Sequence, residues 1–505
     1  MPTIAEERLA AEFTTDPLHT WAAVHPQKTA VVELTTGRRL SYSELDDLAD
    51  RAAGWLTAKL GNPIGERVAF LGRNSLALLA AALGAERCGA IFVPLNWRLA
   101  VPELAALAED CEPALRIADA EFATALPGAI STDAAMSEIA ASTPFPALDL
   151  DPHRTEILLY TSGTTGRPRG VIVTAASAQA AALNFSLVGE VGAASGALSD
   201  LPMFHTIGLI AVARTTLMQG GTLVLSDRFS PSRTLAALAD QSLGITHYFA
   251  VPVMVEALER DAAFDPRALA GLHAIFVGGA PLAPALIERF LDHGVTLVNG
   301  YGMSEAGTVM HMPIDREAVR SSAGAAGSPA PHITVRLVAD EQDVAAGEVG
   351  EVWLRGPSVT PGYWRRPDDT AAAFSDGWYR TGDLAQRGED GLYRIVDRLK
   401  DMYVSGGENV YPAEVEAALL AHPGVADAAV IGAPDPRWGE TGLAFVVLRP
   451  EASLDSASLA AHCAARLAKY KCPSRFVPID AIPRSAAGKI LKPVLRARLN
   501  AGEFP

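Results

Sequence analysis

The densest chemistry in the sequence lies in ten residues, Thr161-Ser162-Gly163-Thr164-Thr165-Gly166-Arg167-Pro168-Arg169-Gly170. They follow an apolar run, Ile157-Leu158-Leu159-Tyr160, that reads as a buried strand. Glycine lets a backbone bend and approach a ligand closely. Hydroxyls and successive amide N–H groups in such a loop form a nest for anions. A strand that runs into this loop is suited to cradling phosphate, and the two arginines add to that. The spacing is not G-x-x-x-x-G-K-[ST], so this is a phosphate loop of another kind. Two further runs end in glycines: Ala274-Ile275-Phe276-Val277 before Gly278-Gly279-Ala280-Pro281, and Val295-Thr296-Leu297-Val298 before Asn299-Gly300-Tyr301-Gly302. Open α/β sheets bind ligands at such strand ends.

The elements that must carry these loops alternate. Ala30-Val31-Val32-Glu33-Leu34, Val68-Ala69-Phe70-Leu71, Ile91-Phe92-Val93-Pro94 and Thr222-Leu223-Val224-Leu225 read as strands. Between the first two, Ser41 and Glu44 have capping-box spacing, and Leu45, Leu48, Ala49, Ala52 and Leu56 recur at helical period. A β-α-β rhythm predicts α/β architecture, a mostly parallel sheet covered by helices. Residues 75–93 read as a buried helix entering a strand, because Glu86-Arg87 interrupts the apolar window. Residues 120–150 are weakly patterned and read as a connection. From about 330 the pattern turns to β-ribbon. Beyond Arg398 it becomes α+β, with helices over 412–421 and 459–467 and strands near 428–431 and 443–448. The expected division is a large N-terminal domain, 1–398, including a β-rich portion, and a small mobile C-terminal domain, 399–505, hinged at 397–401.

At 505 residues, 49% apolar and 20% charged, the chain can bury a large core and is not disordered. The net charge of -16 argues against nucleic-acid binding. Charge is uneven, though: between Ala461 and Pro505 nine Lys/Arg face only Asp480 and Glu503, which suits a polyanionic ligand. Four cysteines without C-x-x-C pairing imply neither disulfides nor zinc and fit a reducing, cytoplasmic setting. The first residues lack the apolar core of a signal peptide, and no integral membrane segment is expected.

In this order, further motifs resemble the acyl-adenylate-forming (AMP-binding) superfamily, of the acyl-CoA synthetase type. They are Pro202-Met203-Phe204-His205-Thr206-Ile207-Gly208, Tyr301-Gly302-Met303-Ser304-Glu305, Tyr379-Arg380-Thr381-Gly382-Asp383-Leu384, Asp397-Arg398-Leu399-Lys400-Asp401 and Pro483-Arg484-Ser485-Ala486-Ala487-Gly488-Lys489. With the phosphate loop, the likeness spans essentially the whole chain. It implies ATP, Mg²⁺ and coenzyme A, and two half-reactions: a carboxylate attacks the α-phosphorus to give acyl-AMP, and a thiol then takes the acyl group.

The resemblance also implies roles. Thr161, Ser162, Gly163, Thr164, Thr165, Gly166 and Arg169 would hold the β- and γ-phosphates. Arg169 stands where lysine is usual, replacing a point charge by a planar fork. Gly279, Ala280, Asn299, Gly300, Tyr301, Gly302, Met303 and Ser304 would line the nucleotide, with Tyr301 on adenine. Glu305 would ligate Mg²⁺, a hard cation. Asp383 and Arg398 would bind ribose, and Lys489 would oppose charge at the α-phosphate. Lys400 would be the hinge. Gly406 and Gly407 would line the pantetheine tunnel, Trp438 would pack on CoA, and Lys469, Lys471, Arg475 and Arg87 would meet its phosphates. His205 would orient the carboxylate in a pocket built from residues 205–209, 248–251 and 278–280 and those after 305. Ile207, Leu209, Phe249, Val251, Val309 and Met310 make that pocket apolar, pointing to a fatty or aryl acid. Alternative readings are an acyl-AMP ligase loading a carrier protein and a non-catalytic nucleotide-binding relative. The oligomeric state stays open, a homo-oligomer included.

Overall fold

The computed structural model describes residues 16–504 except 146–147, 162–168, 280–281, 406–407, 436–437, 451–452, 454, 468 and 486–487. The described chain forms two compact units. One comprises residues up to 334 together with 355–379; the other comprises 335–354 together with 380 onward.

Two sheets form the first unit. One has the order Ile130–Ser131, Leu115–Ala118, Arg67–Leu71, Ile91–Leu95, Thr155–Thr161, Arg169–Thr174; only the last pair is antiparallel. In the other, Leu297–Met303, Ala274–Val277, His247–Ala250, Gly196–Ser199, Thr222–Leu225 and Thr29–Glu33 run parallel in that order. Antiparallel strands Gly307–His311 and Arg38–Ser41 flank them. These strands are continuous apolar runs because both faces are covered; Ala274–Val277 is buried throughout. The Ser41–Glu44 capping box forms and starts the helix Tyr42–Leu60, whose Leu45, Leu48, Ala49, Ala52 and Leu56 are buried. The helix Leu76–Cys88 leads into the strand Ile91–Leu95, as its pattern suggests. Residues 120–150 are more structured than expected: they hold the helix Thr132–Ala141, capped by the Ser131 hydroxyl on the Ala134 amide. Alanine-rich stretches form helices without strong amphipathic contrast, which hid this one.

In the second unit, period-two alternation divides the core. Ala428, Val430, Ala444 and Val446 face one cluster with Val415, Leu419 and Leu459; Ala429, Ile431, Leu443 and Phe445 face another with Val477 and Leu495. The strands Val425–Asp435 and Gly439–Leu448 pair antiparallel through this alternation. Helices Pro412–Leu420 and Ser456–Ala464 contribute to the first cluster, and Lys492–Asn500 to the second.

Candidate active site

The phosphate-loop residues Ser162, Gly163, Thr164, Thr165 and Gly166 lie outside the described residues, as do Ala280, Gly406 and Gly407. The strands on either side are defined. Thr155–Thr161 pairs antiparallel with Arg169–Thr174, and Thr161 stands directly opposite Arg169. The second strand escaped sequence reading because Arg169-Gly170 hides its β-branched run. Arg169 is engaged locally: its Nη2 lies 2.9 Å from Asp369 Oδ1, and its guanidinium sits 5.5 Å from the Tyr363 ring centroid.

Tyr301, Gly302 and Met303 end the strand Leu297–Met303, which turns through Ser304 and Glu305 into Gly307–His311. Two glycines make this tight turn possible. A Cβ on Gly302 would stand 2.5 Å from the Gly307 carbonyl oxygen. Gly307 has φ +67°, and a Cβ there would meet the Ala181 Cβ at 2.6 Å. The Thr360 amide donates to the Glu305 carbonyl at 2.7 Å. The Tyr363 hydroxyl donates to Glu305 Oε1 at 3.2 Å and lies 3.0 Å from the Tyr379 hydroxyl. Burial, reinforced by the Glu305 charge, pushes the Tyr363 phenol up to about 12 and raises Tyr379 as well. Neither tyrosine was singled out from sequence; Tyr379 stood in a quoted motif without a role. A small cavity beneath the turn is lined by the hydroxyl residues Ser177, Thr206, Ser304, Ser358 and Thr360. Among the described residues no cluster of three His, Cys, Asp or Glu side chains is gathered. A divalent cation at this turn would be held by the Glu305 carboxylate, an oxygen donor of the kind that suits magnesium.

Apolar side chains gather at the strand ends beside this turn. Gly279 has φ +82°, and its Cβ position is bounded by Val251 Cγ1 at 3.5 Å and Ile207 Cδ1 at 3.9 Å. Gly278 lies against the Gly300 carbonyl. Phe249 packs with Phe185 and Phe276, ring centroids 4.4 and 5.1 Å away. His311 is buried among these rings, and burial lowers its pKa to about 4. His205 is half-buried with its ring on Phe204. Several side chains of this region are engaged elsewhere in the fold. The Asn299 side-chain amide donates to the Ala325 carbonyl at 2.7 Å, a structural bond. Tyr248 is fully buried, and its hydroxyl reaches Asp200 Oδ2 at 3.2 Å, because alternate strand residues face opposite ways. Leu209 instead lines a separate cavity with Leu18, Leu79, Phe92 and Arg214.

In the second unit, antiparallel register places Asp383 opposite Arg398, and Arg398 Nε lies 2.7 Å from Asp383 Oδ1. Two residues that sequence order separates are thus paired, with Asp383 buried and Arg398 half-exposed. The preceding glycine, Gly382, has φ +69°, and its amide donates to Glu351 Oε1 at 3.0 Å. Lys400 is exposed at its surface, and partial desolvation by its surroundings lowers its pKa. Lys489 is exposed on a turn in which its carbonyl accepts from the Ser485 amide at 2.8 Å and Gly488 takes φ +79°. The Trp438 amide donates to Asp435 Oδ1.

The basic residues expected to meet CoA phosphates divide. Lys469 and Arg475 are exposed. Lys471 is bound by both oxygens of Glu414 at 2.8 Å. Arg87 is not on the surface: its side chain is 3% exposed and contacts Asp16, Asp46 and Asp50. A buried guanidinium held by three carboxylates cannot reach a phosphate, so that expectation is corrected.

Comparison with known proteins agrees with this architecture. The family model described as AMP-binding enzyme matches residues 18–364, and that of the AMP-binding enzyme C-terminal domain matches 414–489. A feruloyl-CoA synthase from Amycolatopsis sp is 39% identical over 482 residues, covering 94% of this chain and 97% of that one. The long-chain-fatty-acid–CoA ligase FadD13 of Mycobacterium tuberculosis is 35% identical over 497 residues, covering 95% and 97%. Among solved structures, the O-succinylbenzoate coenzyme A synthetase (MenE) of Bacillus subtilis, in complex with ATP and magnesium ion, superposes with a TM-score of 0.85. It is 30% identical and covers 95% of this chain and 99% of that one. The chain belongs to the AMP-binding, acyl-adenylate-forming enzyme family and is an AMP-forming acid–thiol ligase.

Proposed function

We propose that the protein is an acyl-CoA synthetase that activates a fatty or aryl carboxylic acid with ATP and passes the acyl group to the thiol of coenzyme A. One observation carries this reading: the apolar boundary at Gly279, made by Val251 and Ile207, at a strand end of the sheet that carries the Glu305 turn. An apolar wall beside a polar turn suits an acid with an apolar body and a carboxylate at one end. Relatives named as a feruloyl-CoA synthase and a long-chain-fatty-acid–CoA ligase support the same class.

In the first half-reaction a carboxylate oxygen attacks the α-phosphorus, the bond to the bridging oxygen breaks, and pyrophosphate leaves. Such a step needs positioning and charge neutralisation. In this reading the loop between Thr161 and Arg169 holds the pyrophosphate side, Tyr301 stacks on adenine, and the Asp383–Arg398 pair binds ribose. His205 orients the acid. Magnesium, when bound at Glu305, neutralises phosphate charge. Lys489 opposes the charge that builds at the α-phosphate and carboxylate oxygens. In the second half-reaction the thiol sulfur attacks the acyl carbonyl and AMP leaves with the bonding pair. Gly406, Gly407 and Trp438 serve the thiol's pantetheine arm, and Lys400 is the hinge between the two steps. We place the enzyme in the cytoplasm, in keeping with a chain of only four cysteines and no C-x-x-C pair.

The test is a panel of acids followed by pyrophosphate release, with products identified by mass spectrometry in the presence of CoA. Apolar aliphatic or aryl acids are expected to give acyl-CoA, and amino acids and short dicarboxylates to give none. Adenylate that accumulates while CoA stays unacylated would overturn the CoA assignment.

A further inference from the structure

The Glu305 turn is braced by two tyrosines to which the sequence motifs assign no role. The Tyr363 hydroxyl donates its one hydrogen to Glu305 Oε1 at 3.2 Å. Its oxygen must therefore accept from Tyr379, whose hydroxyl is 3.0 Å away. The three residues form a directed relay, Tyr379 to Tyr363 to Glu305, in which each bond polarises the next. Both tyrosines are buried, at 7% and 4% exposure. Tyr363 is itself fixed: its amide donates to Thr370 Oγ1 at 3.0 Å, its backbone bridges Val171, and the Arg169 guanidinium sits over its ring while paired with Asp369. Glu305 sits on a turn, where a long side chain otherwise samples several rotamers and loses that freedom on gripping a cation. A buried relay removes that freedom beforehand.

We propose that Tyr363 and Tyr379 are positioning residues that hold the Glu305 carboxylate ready for the divalent cation. The proposal rests on Glu305 being the metal-ligating residue. Tyrosine to phenylalanine keeps the ring and removes only the hydrogen bond, so packing and positioning separate. The measurement uses the full-length enzyme, titrated with the Mn²⁺ complex of α,β-methylene-ATP and followed by electron paramagnetic resonance. Y363F is expected to raise the half-saturating concentration about tenfold, as removal of a metal ligand's hydrogen-bond partner generally does. Y379F should move it in the same direction by about threefold, acting through Tyr363. E305Q should weaken binding more than either, and Y363F combined with E305Q should bind no worse than E305Q alone. If E305Q weakens the complex and Y363F and Y379F both stay within about twofold of wild type, positioning is overturned and the Glu305 reading stands. If E305Q binds like wild type, the metal assignment falls and the relay with it. Circular dichroism establishes that each variant is folded; should Y363F not fold, Y379F alone decides by the same criterion.

Discussion

Lys489 stands exposed on a turn closed by Ser485 and Gly488, with nothing in its own backbone geometry that requires a cation. Its charge is best used where negative charge grows, at the α-phosphate in the first half-reaction. Lys489→Ala is therefore expected to slow acyl-AMP formation by about a hundred- to a thousandfold, the scale for one lost electrostatic contact. Thioester formation from supplied acyl-AMP should be spared; single-turnover assays of each step separate the two. Asp200 poses a different question. It is buried, its Oδ2 accepts from Thr234 and Tyr248, its Oδ1 has no hydrogen-bond partner among the described residues, and burial lifts its pKa to about 7. The folded state keeps this proton up to about pH 7, whereas the unfolded chain releases it near pH 4. Stability should thus fall as pH rises through that window. Asp200→Asn should flatten the profile between pH 5 and 7, measured by urea unfolding. Residue types and order named Glu305, Asp383 and Arg398 as candidates. They could not single out Tyr363, which lies 58 positions from Glu305. Arg87 was misread for the same reason: Asp46 and Asp50 reach it from another helix. A charge's surroundings depend on which distant segments fold beside it, and local sequence does not encode that.

At the scale of elements, the hairpin Leu297–Met303 to Gly307–His311 carries both the Tyr301 strand end and the Glu305 turn. Its close approach depends on Gly302. A methyl group there would overlap the Gly307 carbonyl, and backbone cannot swing away as a side-chain tip can. Gly302→Ala is expected to cost about 1–3 kcal/mol of stability, the usual range for overpacking. It should also weaken nucleotide binding, because the turn must open; calorimetry with ATP checks both. Strands with short, largely apolar runs, such as Thr222–Leu225 and Ala274–Val277, were legible because both faces are buried and length and composition agree. The strand Arg169–Thr174 and the helix Thr132–Ala141 were not. One opens on a charged residue and a glycine, the other lacks contrast between its faces.

On the scale of the whole molecule, two chemically different half-reactions must share one acyl group. Lys400 follows the strand Tyr393–Arg398 and is the proposed hinge. Lys400→Pro fixes φ there. It should leave acyl-AMP formation within about tenfold of wild type and slow the thioester step by about a hundredfold, the cost of misplacing reacting groups. Equal rates for both steps would remove the hinge assignment. The two-part texture of the sequence was readable, but the chain's return was not: residues 335–354 belong to the second unit although 355–379 return to the first. That discontinuity bears on how the protein can be cut. The strand Val349–Arg355 lies beside Trp378–Arg387, and Glu351 anchors the Gly382 amide. A recombinant fragment beginning at Arg380 would carry an open flank of unsatisfied amides and carbonyls where that strand belongs. Such edges recruit other chains. The fragment should elute from a sizing column as oligomers, and a synthetic peptide spanning 335–354 should return it to a monomer by filling the gap.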